Sequence, residues 1–388
     1  MATRRDAMIG GGALGLSSLL GKRALAQGGK AMPRIVYLGC RTSRERNAKG
    51  DGIGVYRADP AGGAWQPVQT VGDLVNPSYL ILNAAGTMLY TVHGDGSEVS
   101  GFRVDRGSGR LTFANRVTTG GRNPVHLAIH PRHPILVVVN HIVAGEVRSG
   151  LSSIAIAPDG TLGAEPLDIV AFEGKAGPHR IEQPFPKPHQ IEPDRTGSFF
   201  AVPDKGCDRV DVYMVGADGK FAAVEQAAAI AREGAGPRHI AYHPGARFAY
   251  AINELDSTVT AYAADPASGA LTPFQILSSL PDSFTGNSRG AEIAVSADGR
   301  FVYASNRGDD SIATFAVDAR TGRLTARGWT ATGGRTPRFF TIAPDGHALF
   351  VANEESHTIV RLPIGADGVP QAGAIVAETG SPTCIQFA

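Results

Sequence analysis

Residue types suited to moving protons and gripping anions recur at matching places of a repeated pattern. They are His189, Glu254, Arg238 and Arg289, with His126, His239, Glu292, Arg338, Asp204, Lys205 and Arg307 at equivalent places in other copies. A His or Glu beside a channel can take a proton from water and return it to a leaving oxygen, its pKa set by burial and neighbouring charge. Arginine presents a planar fork that holds a carboxylate or phosphate at two points, or steadies an oxyanion. The expectation is a site in which His189 or Glu254 moves protons and Arg238 and Arg289 orient an anionic substrate, the other seven residues lining it. The competing reading makes Arg238 and Glu254 an ion pair tying adjacent strands. The single Gly-x-Ser-x-Gly run, Gly286-Asn-Ser-Arg-Gly290, falls on the Ser288-Arg289-Gly290 step of a strand repeat rather than on a strand-to-helix turn, so it does not read as a serine-nucleophile elbow, and there is no His-Glu-x-x-His pair for zinc. No metal or cofactor is therefore assigned, although histidines from several repeats could still converge on an ion.

Seven repeats must position these side chains. Each opens on a step, Asn76-Pro77, Asn123-Pro124, Lys187-Pro188, Gly236-Pro237, the Pro-less Ser288-Arg289-Gly290, Thr336-Pro337 and Ser381-Pro382. The steps recur roughly every 45–65 residues, as propeller blades do. After each come short apolar runs separated by a small-polar turn and an Asn- or His-rich loop, which read as four antiparallel strands. The last step has no following strands, and Ile35–Leu38 has no preceding step. The pattern predicts an all-β, seven-bladed propeller whose C-terminal strand closes the ring by joining the N-terminal blade, which also removes exposed sheet edges. In that fold the residues after each step and the loop after each second strand meet at one mouth of the central channel. Far-side turns read as Ala-Pro-Asp-Gly and His-Pro, which is turn chemistry. His130, His133, His243 and His347 fall there. Two long connections, 173–187 and 280–288, are candidate rim segments.

With 37 Lys and Arg against 36 Asp and Glu, the net charge of +1 provides no global field to draw nucleic acid or a membrane surface. The expected partner is a small lactone or carboxylate, and the expected state a monomer. Residues 1–27 read as a cleaved signal peptide: Arg4-Arg5 precede an apolar, Gly-rich stretch, and Ala24-Leu25-Ala26 offers a cleavage site. The adjacent arginines resemble a twin-arginine signal, which predicts a periplasmic protein. Residues 28–388 are then one propeller domain, with no membrane association after cleavage. Cys40, Cys207 and Cys384 form no ligand spacing, and a Cys40–Cys384 bridge would need the two termini to share a blade.

Several ordered stretches resemble the β-propeller lactonases, a family that includes bacterial 6-phosphogluconolactonases and the fungal 3-carboxy-cis,cis-muconate lactonizing enzyme. They are Lys187-Pro-His-Gln190, Ala201-Val-Pro-Asp-Lys-Gly-Cys-Asp208, Gly236-Pro-Arg-His-Ile-Ala-Tyr-His-Pro244 with Asn253-Glu254-Leu255, Arg289-Gly-Ala-Glu-Ile293 with Ser305-Asn-Arg-Gly308, and Thr336-Pro-Arg-Phe339. The likeness runs from about Ile35 to Phe387. It implies site roles for His189, Arg238, Glu254 and Arg289, with Glu292 and Arg338 as neighbours. It also implies hydrolysis of a sugar-acid lactone by water attack. Lys187-Pro-His-Gln replaces a His-rich approach usual in the family, and an export signal departs from a cytosolic sugar-phosphate role. Two alternatives stand beside hydrolysis: a muconate-type cycloisomerase, and a propeller that binds a ligand or protein without catalysis.

Overall fold

The computed structural model describes residues 35–143 and 148–388, so the expected signal segment, 1–27, lies outside the described residues. Seven antiparallel sheets of four strands stand as blades around an axis, numbered here in chain order. Blade 1 takes its inner strand, Pro382–Phe387, from the C-terminal end and pairs it with Ile35–Cys40, Val36 facing Phe387 and Gly39 facing Cys384. The inner strands of blades 2 to 7 are Leu80–Leu82, Gly121–Ile129, Glu192–Pro193, Pro237–Tyr242, Arg289–Val295 and Pro337–Ile342. Blade 4 adds Ala229–Ile230 beside its third strand, Arg209–Val215. The sevenfold count, the four-strand blades and the closure agree with the repeat reading. Helix among the described residues is confined to two short 3-10 turns, Arg44–Arg46 and Glu225–Ala227. No helix there is long and apolar enough to cross a membrane.

The core lies between blades, because an isolated sheet cannot cover both of its faces. Val36, Leu38 and Ile385 of blade 1 pack on Phe350, Ala352 and Ile359 of blade 7, so apolar burial seals the joint made by the two ends of the chain. One polar tie recurs across neighbouring blades. Tyr37, Tyr90, Tyr250 and Tyr303, all buried, donate their hydroxyls to Gly109, Gly160, Gly322 and Gly368 at 2.8–3.0 Å. Each acceptor glycine has a positive φ, which opens its turn toward the preceding blade.

All three cysteines are free. Register explains why Cys40 and Cys384 do not join: Cys384 pairs with Gly39, so Cys40 points to the opposite face of the same sheet.

Candidate active site

Two rings of residues face one mouth of the channel. The first arises because the ladder between inner and second strands slips one residue beyond the step. Pro124 pairs with Asn140 and His126 with Val139, which leaves Val125 unpaired; Pro237, Asn253, His239 and Ile252 leave Arg238, and Pro337, Asn353, Phe339 and Ala352 leave Arg338. In blade 1 the same slip frees Thr383. Blade 4 also has one residue too many between Pro188–Asp204 and Glu192–Ala201, where His189 stands. Such bulges turn a side chain out of the regular alternation. Val125, His189, Arg238, Arg338 and Thr383 all line one cleft of about 410 Å³.

The second ring follows the second strand, where a buried brace precedes a residue that faces the mouth. The buried braces are Cys40, His93, Asn140, Asp204, Asn253, Asn306 and Asn353, and each side chain makes at least one local hydrogen bond. Asn253 donates to Thr258 Oγ1 at 2.8 Å, Asn353 to the Thr332 carbonyl at 3.2 Å, and His93 Nε2 meets Ser100 Oγ at 2.7 Å. The facing residues are Arg41, Gly94, His141, Lys205, Glu254, Arg307 and Glu354. Their equivalence shows in a shared bond: the N–H of Arg41, Gly94, Lys205, Glu254 and Glu354 donates to the carbonyl of the residue before the step proline, at 2.7–3.1 Å.

Blade 6 departs from this scheme. Gly290 pairs with Asn306 as Pro237 does with Asn253, so Arg289 holds the place of Gly236 and reaches over the rim with its side chain 45% exposed. A Cβ at Gly290 would lie 2.5 Å from the Asn253 carbonyl oxygen, too close for the proline found in other blades.

Glu254 is the charge centre. Its Oε1 lies 3.1 Å from Lys205 Nζ and 3.6 Å from Arg289 Nη1; its Oε2 lies 3.1 Å from Arg238 Nε and 3.3 Å from Arg307 Nη2. Burial alone would raise the carboxyl, but Arg307, Lys205, Arg238 and Arg338 outweigh it and hold it well below the usual range. The Arg238–Glu254 ion pair does tie neighbouring strands of blade 5, and the same pair forms part of the cleft wall. Arg238 also donates to the Ala291 carbonyl at 2.5 Å. Eight cationic side chains face three carboxyl groups along the cleft, which suits an anion.

A hydrogen-bonded file runs through the histidines. His189 Nδ1 lies 3.2 Å from His239 Nε2, and His239 Nδ1 lies 2.9 Å from Glu292 Oε1. Burial and then Arg238 depress both imidazoles well below their ordinary value, so both are neutral at pH 7. Burial lifts the Glu292 carboxyl to about 8, against the pull of Arg238. With Nδ1 engaged, Nε2 is the His189 nitrogen available to a molecule in the cleft.

Of the eleven candidates, His189, Arg238, Glu254, Arg289, His239, Glu292, Arg338, Lys205 and Arg307 line this cleft. Asp204 does not: it accepts the backbone N–H groups of Lys187, Gly206 and Cys207, so it is a brace and its neighbour Lys205 faces the site. His126 lies beneath the lining, 4.0 Å from Tyr79 between ring centroids, with Nε2 buried and unpartnered. Sequence reasoning passed over Arg41, Glu182 and Lys187, which also line the cleft. Ring closure was the available signal for Arg41, since Cys40-Arg41 is the brace-and-face pair of blade 1. Glu182 comes from the 173–187 connection and bridges Lys205 at 3.1 Å and Arg289 at 2.8 Å, making that connection part of the rim. Residues 280–288 contribute nothing to the lining. Among the described residues no group of three or more His, Cys, Asp or Glu side chains could hold a metal ion.

Fold and site together define a seven-bladed propeller with a polar, cationic cleft at one mouth. The chain belongs to the family described as lactonase, 7-bladed beta-propeller, which matches residues 35–387, and it is a lactonase by that membership. It is 34% identical to a 6-phosphogluconolactonase of Bacillus subtilis over 80% of this chain and 86% of that one. A 6-phosphogluconolactonase of Formosa agariphila is 32% identical over 80% and 88%. Among solved structures, the periplasmic gluconolactonase of Pseudomonas aeruginosa superposes with a TM-score of 0.83 at 28% identity, covering 91% of this chain and 98% of that chain.

Proposed function

We propose that this protein hydrolyses a sugar-acid lactone in the periplasm, with His189 as the group that moves the proton. The observation that carries this reading is the file from Glu292 through His239 to His189, which ends beside the cations of the cleft. With Glu292 ionised, His239 donates Nδ1–H to it and accepts from His189 Nδ1–H, which leaves the lone pair on His189 Nε2. That nitrogen takes a proton from water as the water oxygen bonds to the lactone carbonyl carbon. Arg238, with Arg289 and Arg307 nearby, opposes the developing oxyanion charge. When the tetrahedral intermediate collapses, the ring carbon–oxygen bond breaks and the proton on His189 passes to the departing oxygen, giving the open hydroxy acid.

Glu254 is a poor base in this scheme, because its four cations favour the ionised form throughout. It serves instead to fix the arginines. The names of the relatives and the twin-arginine-like segment support the substrate class and the compartment. The test is a panel of glucono-, phosphoglucono- and muconate-type lactones assayed with wild type and His189→Ala. A loss of about hundredfold or more in kcat on lactone opening is expected. Undiminished opening by His189→Ala would reject the assignment, and activity confined to muconate substrates would favour cycloisomerisation.

A further inference from the structure

Blade 7 repeats the charged arrangement of blade 5. Arg338 and Glu354 hold the bulge and facing positions of Arg238 and Glu254, and Arg41 on the next blade stands to Glu354 as Arg307 stands to Glu254. The copies differ in size, and in both the cations outnumber the carboxylates. Glu254 meets four cations, and Glu182 offsets two of them, Lys205 and Arg289. Glu354 is shared between two guanidiniums, with Arg41 Nε at 2.9 Å and Arg338 Nη1 at 3.6 Å. Arg41 Nε, like Arg238 Nε and Arg307 Nε of the other copy, is buried without a properly aligned hydrogen bond. Burial, with the nearby Arg338 charge, lowers the Arg41 pKa to about 9, as burial with Arg307 and Arg338 does for Arg238 of blade 5.

Arg41, on blade 1, stands three blades from both blades 4 and 5, which carry His189 and His239, and Arg338, on blade 7, stands three and two blades from them. Arg41 and Arg338 line the same cleft as the histidine file, and Ser78 and Thr383 line it as well. From this geometry we infer a second oxyanion subsite at Arg41 and Arg338, which holds an anionic tail while the lactone ring lies over His189. The ligand class is a sugar-acid lactone bearing a phosphate ester or second carboxylate several bonds from its acyl carbon. Two arginine forks with one carboxylate between them retain a net positive charge and donors enough for such a group.

For the reacting ring this assignment rests on the hydrolysis reading; for the anion it rests on the cleft alone, and the tests separate the two. Calorimetry of the whole protein with inorganic phosphate should show affinity about tenfold weaker in Arg41→Gln, the loss expected for a charge-assisted hydrogen bond. Glu354→Gln frees both arginines and should tighten phosphate binding. Unchanged affinity in Arg41→Gln, or weaker binding in Glu354→Gln, overturns the subsite. In kinetics, the ratio of kcat/KM for 6-phosphogluconolactone over gluconolactone should fall about tenfold or more in Arg41→Gln. A glucarolactone arm tells whether a carboxylate is served as well as a phosphate. Equal losses on charged and neutral lactones assign Arg41 to structure and overturn the proposal. A wild type that opens no lactone but shows both phosphate shifts defeats the hydrolysis reading and upholds the subsite.

Discussion

His189 meets His239 across two blades, Nδ1 to Nε2 at 3.2 Å, so it communicates through His239 with a carboxyl it does not touch, that of Glu292. The direction in which both protons point depends on Glu292. Protonated Glu292 can donate to His239, and the file then presents N–H at His189 Nε2; ionised Glu292 reverses both bonds and presents a lone pair.

Rate should therefore rise with pH. Burial lifts Glu292 to about 8, so the form with a basic His189 grows as pH climbs through that value. A profile of kcat/KM between pH 6 and 9 should increase with an inflection near 8, and Glu292→Gln should flatten it. A wild-type profile that falls over this range would contradict the file's role.

Removing Glu254 should unsettle the fold as well as the reaction. Its depressed pKa means that its stabilising contribution is complete above the unfolded value of about 4.3 and is lost as pH falls through the lower folded value. Glu254→Gln strands buried cations and should cost about 3–5 kcal/mol. In denaturant titrations the gap from wild type should hold from pH 5 to 8 and shrink below about 4.

Brace and facing residue should separate experimentally although they are neighbours in sequence. Asp204→Ala deprives three backbone N–H groups of their acceptor and should lower stability by about 1–3 kcal/mol or more. Lys205→Met keeps the turn but removes a cation from Glu254, so its main effect should be on kcat/KM. Melting temperature and kinetics measured on both variants check the division.

Blade-to-blade ties should matter to stability alone. Tyr250→Phe loses the hydroxyl bond to the Gly322 carbonyl at 3.0 Å and should cost about 1–2 kcal/mol. Tyr250 does not line the cleft, so turnover of the folded fraction should match wild type.

Compartment can be tested without the structure. Changing Arg4 and Arg5 together to Lys should move lactone-opening activity from the periplasmic to the cytoplasmic fraction if export uses the twin-arginine route. Unaltered fractionation would point to another route.

Blade number, strand order and ring closure were legible in the sequence because Pro steps and apolar runs repeat at a regular interval. Site membership was less so. Simple alternation fails where the inner strand slips, and it is the slip that separates Arg238 from His239. Asp204 and Lys205 look alike as adjacent polar loop residues, yet the first is consumed by three amides and the second faces the cleft. Arg41 was hidden because its blade is completed by a strand more than three hundred residues away, which puts it out of sequence with the other facing residues. Glu254 offered a plausible base on paper; only the four cations around it show why its proton affinity is low.

The split between a brace and the residue beside it also bears on how such a site can change over generations. Asn253, Asn306 and Asn353 keep the loops in shape whatever follows them, and each bulge presents one residue without disturbing the ladder behind it. Single substitutions at these positions can alter the ligand accepted while the ring persists. A scaffold built this way can be retuned one blade at a time, as the differing charges of His141, Lys205, Glu254 and Arg307 at one equivalent place already record.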